Sequence, residues 1–145
     1  MYKHILIATD GSELAGKAVA AGFDLARQLA AQVTVVTVTE PWTALVAGDT
    51  TFAFPVDEYE KLANESANHI LSGASKLARK AGINCVTVHD KDRYPSEGIL
   101  ETAAKNNCDL IVMASHGRRG LGRLLLGSVA AKVLTHSTVP VLICR

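Results

Sequence analysis

The chain has few aromatics, no long apolar run, an odd handful of cysteines and almost no net charge, and each shortage removes a class of protein. Aromatic residues are 5% of its 145 residues against a hydrophobic share of 48%, so the core has to be aliphatic, built from Ala, Val, Leu and Ile. No apolar stretch approaches the ~20 residues that a membrane span requires. The opening Met1–Ala8 is too short an apolar run for a signal peptide, and charge follows at Asp10. A formal net charge of +1 gives no global field that would draw nucleic acid or an anionic membrane. Cys85, Cys108 and Cys144 have no CxxC spacing and read as free core thiols in a reducing cytoplasm. The expectation is a cytoplasmic protein without nucleic-acid or membrane partners, forming one domain over residues 1–145 with a core that needs no staples.

What is present alternates between two periodicities. Ile5-Leu6-Ile7-Ala8 is a short continuous apolar run, the pattern of a strand buried on both faces. From Ser12 to about Ala31, Leu14, Ala18, Gly22, Leu25 and Leu29 recur at three- and four-residue steps, a helical stripe. Val33–Val38 is β-branched and predicts a second strand, and the stretch from Glu40 to Pro55 reads as a long loop suited to a lid. A second stripe through Ala63, Ala67, Ile70, Leu71, Ala74, Leu77 and Ala78 stops at Gly82. Further strands are predicted over Ile83–Val88, Leu110–Ala114 and Val139–Cys144, with helices from Pro95 to Asn106 and from Ser128 to His136. Strands apolar on both faces, alternating with helices, make an α/β fold: an open, doubly wound parallel sheet with helices on both faces. In such sheets a ligand binds beyond the carboxyl ends of the strands, where the strand order reverses. Two polar clusters follow strand ends, Thr9-Asp10-Gly11-Ser12 after the first and Ala114–Ser128 after the fourth. They share one crevice if those two strands are neighbours.

The second cluster, ASHGRRGLGRLLLGS, is rich in glycine and arginine yet has no lysine. Gly122–Val129 has the glycine spacing of a Walker A loop, but Ser128 replaces the lysine and Val129 the hydroxyl residue. GxGxxG is absent as well, because Gly117, Gly120 and Gly122 run in the reverse spacing. A third arrangement needs only a helix start. Free N–H groups of Ser128, Val129 and Ala130 would donate to phosphate at the positive end of the helix dipole, with Arg118, Arg119 and Arg123 adding charge. The plain alternative is a turn in which Ser128 caps the helix and the arginines are solvated.

Gly117, nine residues, then Gly127-Ser128 resembles the motif G-x2-G-x9-G-[S/T] of the universal stress protein family, with Ala114 standing at its first glycine. The opening KHILIATDGS, the run Asp109–Ala114 and the ending STVPVLIC are similar to that family too, so the resemblance covers the whole chain. It implies an adenine nucleotide alpha hydrolase-like sheet of five parallel strands in the order 3-2-1-4-5, and a place among the ATP-binding members. It further implies that Ala8, Thr9 and Asp10 meet the nucleoside, with Asp10 at the ribose, and that the main chain of Val38 reads adenine. Met113, Ala114, Ser115, His116 and Gly117 would line ribose and phosphates, and Gly127, Ser128 and Val129 would hold the phosphate chain. The expected ligand is ATP, with ADP and AMP as alternatives and Mg²⁺ arriving on the phosphates. Val139, Val141, Leu142 and Ile143 would pair two copies through the last strand into a homodimer that a regulatory protein partner reads.

No Ser-His-Asp set or nucleophile elbow occurs, and no carboxylate is placed as a base. Asp10 as a phosphoryl acceptor lacks a partner carboxylate, since Ser12 stands two residues on. His4, His69, His89 and His136 are scattered, and His89-Asp90-Lys91-Asp92 reads as solvated rather than metal-binding. The expectation is a binding protein and not a dedicated enzyme, with a slow ATPase or a ligand-free interaction dimer as the rival readings.

Overall fold

Ile5, Leu6 and Ile7 are fully buried, and they lie in the middle strand of the sheet. The computed structural model describes residues 1–46, 55–118 and 126–145. Its sheet has five parallel strands: β1 (His4–Ala8), β2 (Gln32–Thr39), β3 (Cys85–Lys91), β4 (Leu110–Ala114) and β5 (Val141–Cys144), in the order β3-β2-β1-β4-β5. The helices are α1 (Glu13–Leu29), α2 (Trp42–Val46), α3 (Val56–Ala81), α4 (Pro95–Lys105) and α5 (Ser128–His136).

Because side chains alternate across a strand, one run of apolar residues feeds two cores. Ile5, Ile7, Val33, Val35 and Val112 pack with α1 and α3, through Ala18, Phe23, Ala26, Leu71, Ala74 and Ala78. Leu6, Val36, Ile111 and Met113 pack on the other face with α4 and α5, through Ile99, Ala103, Ala130 and Val133. Each fully buried Ile, Leu or Val contributes ~1.5–3 kcal/mol relative to an exposed position.

Gly22 brings α1 close to the sheet, because a Cβ there would meet the Cδ1 and Cγ1 atoms of buried Ile7. Overpacking costs ~1–3 kcal/mol, and the better helix propensity of alanine returns up to ~1 kcal/mol. Gly22→Ala is therefore expected to lower stability by roughly 1–2 kcal/mol, read as a lower urea midpoint at unchanged m-value.

Several sequence boundaries shift. The stretch from Glu40 is not loop throughout, since α2 occupies Trp42–Val46, and residues 47–54 lie outside the described ones. α3 begins at Val56, seven residues before the apolar stripe, and its Leu77 is exposed rather than core. β3 runs to Lys91 because its polar end is an edge strand paired on one side only. β5 starts at Val141, so Val139 precedes the strand, in a turn where it exchanges hydrogen bonds with the Ser137 hydroxyl (3.2 and 2.6 Å).

All three thiols are free. Burial pushes the Cys108 thiol up to about 11, which keeps it protonated and inert. Among the described residues no helix is long and apolar enough to cross a membrane.

Candidate functional site

β1 and β4 are neighbours, and the chain turns outward in opposite directions from them, so the order reverses there. Above that point lies a crevice of about 560 Å³. Both polar clusters open into it. Ala8, Thr9 and Asp10 line it from β1, and Met113, Ala114, His116, Gly117 and Arg118 line it from β4. Gly127, Ser128, Val129 and Ala130 close one end. Ser115 does not line it: this residue is buried, its N–H donates to Cys144 O (2.7 Å), and its hydroxyl pairs with His116 Nδ1 (3.2 Å). Arg119 and Arg123 lie outside the described residues, as do Gly120 and Gly122.

The two helix starts at this crevice differ. At α1, Ser12 is the N-cap, its hydroxyl accepting from Ala15 N (3.2 Å), and Glu13 adds an acid in the first turn. At α5 the N-cap is Gly127 with no side-chain cap, and the first turn has no acid. Ser128 is thus the first helical residue and not the cap. The first helical bond runs from Ala131 N to Gly127 O (2.9 Å), which leaves the N–H groups of Ser128, Val129 and Ala130 ahead of the ladder. Such a start suits an anion, and the helix dipole adds to the fit.

Gly127 is fixed by packing. Its N–H donates to Ser115 O (2.7 Å), and an added Cβ would stand 2.8 Å from that same oxygen and 3.1 Å from His116 Cα. Gly117 has a different duty, because a Cβ there would collide with Asp10 Oδ2. The Asp10 carboxylate sits in that gap as a clasp, with Oδ1 accepting from Ser12 N (2.9 Å) and Oδ2 from Arg118 N (2.8 Å). Burial by itself would raise the pKa of Asp10. The Ser12 hydroxyl and N–H, the Arg118 N–H and the Arg118 charge outweigh it and hold the carboxyl below its usual range. Ala114, at the position of the motif's first glycine, places its methyl in the core facing α1 and α3.

The far end of the crevice is made by backbone. β1 pairing ends at Ala8 opposite Val36, whereas β2 stays paired with β3 as far as Thr39 opposite Lys91. Peptide groups of a parallel strand face its two neighbours alternately. Val36 O faces β1, taking Thr9 N–H (3.0 Å), and Thr39 O faces the β3 side, taking Arg93 N–H (3.3 Å). Val38 therefore faces the same side as Val36, past the end of β1, and its N–H and C=O open into the crevice that it lines.

One wall escapes sequence reasoning. Tyr59, Leu62, Ala63, Ser66 and Ile70 of α3 line the crevice, with Pro95 and Ile99 of α4 opposite. Their three- and four-residue spacing is legible, but it reads as core. His4 and His89 are accounted for by hydrogen bonds to Thr34 Oγ1 (2.8 Å) and Thr39 Oγ1 (2.7 Å). Among the described residues no three His, Cys, Asp or Glu side chains gather as a metal site.

The sequence profile of the universal stress protein family matches residues 1–145. The universal stress protein YxiE of Bacillus subtilis is 32% identical over 152 residues, covering 100% of both chains. The solved structure of the hypothetical protein MJ0577 superposes with a TM-score of 0.82 at 28% identity, over 99% of this chain and 96% of that one. A universal stress protein solved in complex with cAMP superposes with a TM-score of 0.71 at 25% identity, over 99% and 97% of the two chains.

Proposed function

The chain belongs to the universal stress protein family, and we propose that it is an ATP-binding member working in the cytoplasm as a nucleotide-dependent regulatory dimer. The observation that carries the reading is one crevice with an uncapped, acid-free helix start at one end and the outward-facing Val38 peptide at the other. The first suits phosphates. The second offers one donor and one acceptor, the pattern of an adenine edge. A relative that binds cAMP in the same fold supports an adenine ligand.

In this reading Ser128, Val129 and Ala130 hold the phosphate chain through N–H groups, with the Ser128 hydroxyl beside them and the charged Arg118 lining the same crevice. Asp10 holds the turn after β1 against the segment leaving β4, and its remaining lone pairs accept a ribose hydroxyl. Any Mg²⁺ is carried by phosphates and water, since the described residues gather no ligand cluster. Asp10 serves as a clasp between Ser12 and Arg118 in this reading, and the protein binds ATP without turning it over quickly. The open edge at β5, where Leu142 is 43% exposed, pairs two copies, with Val141 and Ile143 continuing the core beneath. The loaded dimer then presents a surface to a protein partner.

Calorimetric titration with ATP, ADP, AMP and GTP, with native mass measured alongside, tests this. Expected are saturable adenine-nucleotide binding, weaker binding of GTP, a dimer at micromolar concentration and turnover well below ~1 s⁻¹. A dimer that binds no nucleotide would leave the interaction-dimer reading, and turnover at or above that rate would make the protein an enzyme.

A further inference from the structure

Three residues of β2, Thr37 to Thr39, run past the end of β1, and the peptide that opens into the crevice lies among them. On the β3 side this overhang is supported by strand pairing, by Arg93 N–H on Thr39 O (3.3 Å) and by the Thr39–His89 side-chain bond (2.7 Å). Support from across the crevice comes from α3. The Tyr59 hydroxyl donates to Glu40 O at 2.6 Å, at the residue that follows the strand. Tyr59 sits in the first turn of α3, with its N–H on Pro55 O (3.0 Å). That helix is anchored in the core further along, by Ala67, Leu71, Ala74 and Ala78. The phenol therefore ties the free end of β2 to a rigid element on the opposite wall, and both Tyr59 and Glu40 line the crevice.

We propose that Tyr59 is a positioning residue for base selection. Resting on the nucleotide reading above, it holds the Val38–Glu40 backbone at the spacing that matches an adenine edge. Base reading by a peptide depends on placement, because N–H and C=O must meet their partners at 2.7–3.2 Å and near-linear angles. Without the phenol's hydrogen bond the strand end loses this tie to α3, the peptide is placed less exactly, and the penalty for a mismatched base falls with it. The phosphate end is held by Gly127 and Ser115 instead and does not share this support.

Tyr59→Phe keeps the ring and removes only the donor. Adenosine and ATP are each expected to bind about 3–10-fold more weakly, the worth of one net hydrogen bond. Inorganic triphosphate should bind unchanged, and the ratio of ATP to GTP affinity should shrink. Amide hydrogen exchange of ligand-free protein is expected to speed up at Val38–Glu40 and not at β4. Unchanged adenosine affinity in Tyr59→Phe, or equal weakening of ATP, GTP and triphosphate, would overturn the role of Tyr59 alone. Wild-type protein that binds neither adenosine nor ATP would overturn the nucleotide reading and base selection with it. Unchanged exchange at Val38–Glu40 would remove the positioning role whatever the crevice binds.

Discussion

Gly127→Val is expected to reduce adenine-nucleotide affinity more than 100-fold (~3 kcal/mol) and to lower stability by ~1–3 kcal/mol. The two losses come together. The clash is with backbone, at Ser115 O and His116 Cα, and backbone cannot step aside as a side-chain tip can. The start of α5 has to lift from the exit of β4, breaking the bond from Gly127 N to Ser115 O and displacing the three N–H groups that follow. Gly127→Ala carries the same Cβ and should show the same two losses at smaller size. Calorimetric titration beside urea unfolding reads both. A folded Gly127→Val protein with wild-type affinity would move the ligand away from α5.

Asp10→Asn is the second large effect. An amide supplies one acceptor oxygen where the carboxylate supplies two, so in either orientation its NH2 group faces the Ser12 or the Arg118 N–H without accepting from it. Hydrogen bonds to a charged acceptor are worth ~1.5–3 kcal/mol each. Asp10 is only half buried, so water replaces part of this and ~1–2 kcal/mol remains. The sign of the pH dependence follows from the depressed carboxyl. Its contribution is complete above the ordinary carboxylate range, near pH ~4, and is lost as pH falls through the lower folded value. Urea midpoints of wild type and Asp10→Asn should therefore differ clearly at pH 7 and draw together at an acid pH below the ordinary carboxylate range. An equal gap at both pH values would mean that the clasp does not stabilise through charge. Nucleotide affinity at pH 7 is expected to fall about tenfold, since the segment from Ser115 to Arg118 loses its tether.

The sheet was readable because Ile5-Leu6-Ile7 and Leu110-Ile111-Val112 are buried on both faces, and an uninterrupted apolar run has little else to be. β3 was readable only in part, because an edge strand can end in His89, Asp90 and Lys91 without cost to a core. α2 is one short turn following Pro41, too brief to show a stripe. The first turns of α3 face the crevice and solvent, so Asp57, Glu58 and Lys61 carry no core signal even though Tyr59 and Leu62 build a wall. Site residues next to one another in sequence, such as Ser128 and Val129, could be proposed from a motif. The meeting of Asp10 with Gly117, and of Tyr59 with Glu40, exists only after folding joins distant segments. Glycine at position 117 is thus explained by the carboxylate that fills the space beside it as well as by any ligand.

The unequal helix starts give the crevice a polarity. The α1 start carries its own anionic partners in Asp10 and Glu13, while the α5 start carries none. On the nucleotide reading, a ligand charged at one end and neutral at the other is held one way round, because Asp10 and Glu13 keep its anion off the α1 start and leave the α5 start to take it. Orientation is selected before any base contact forms, by a negative charge that the protein places against itself.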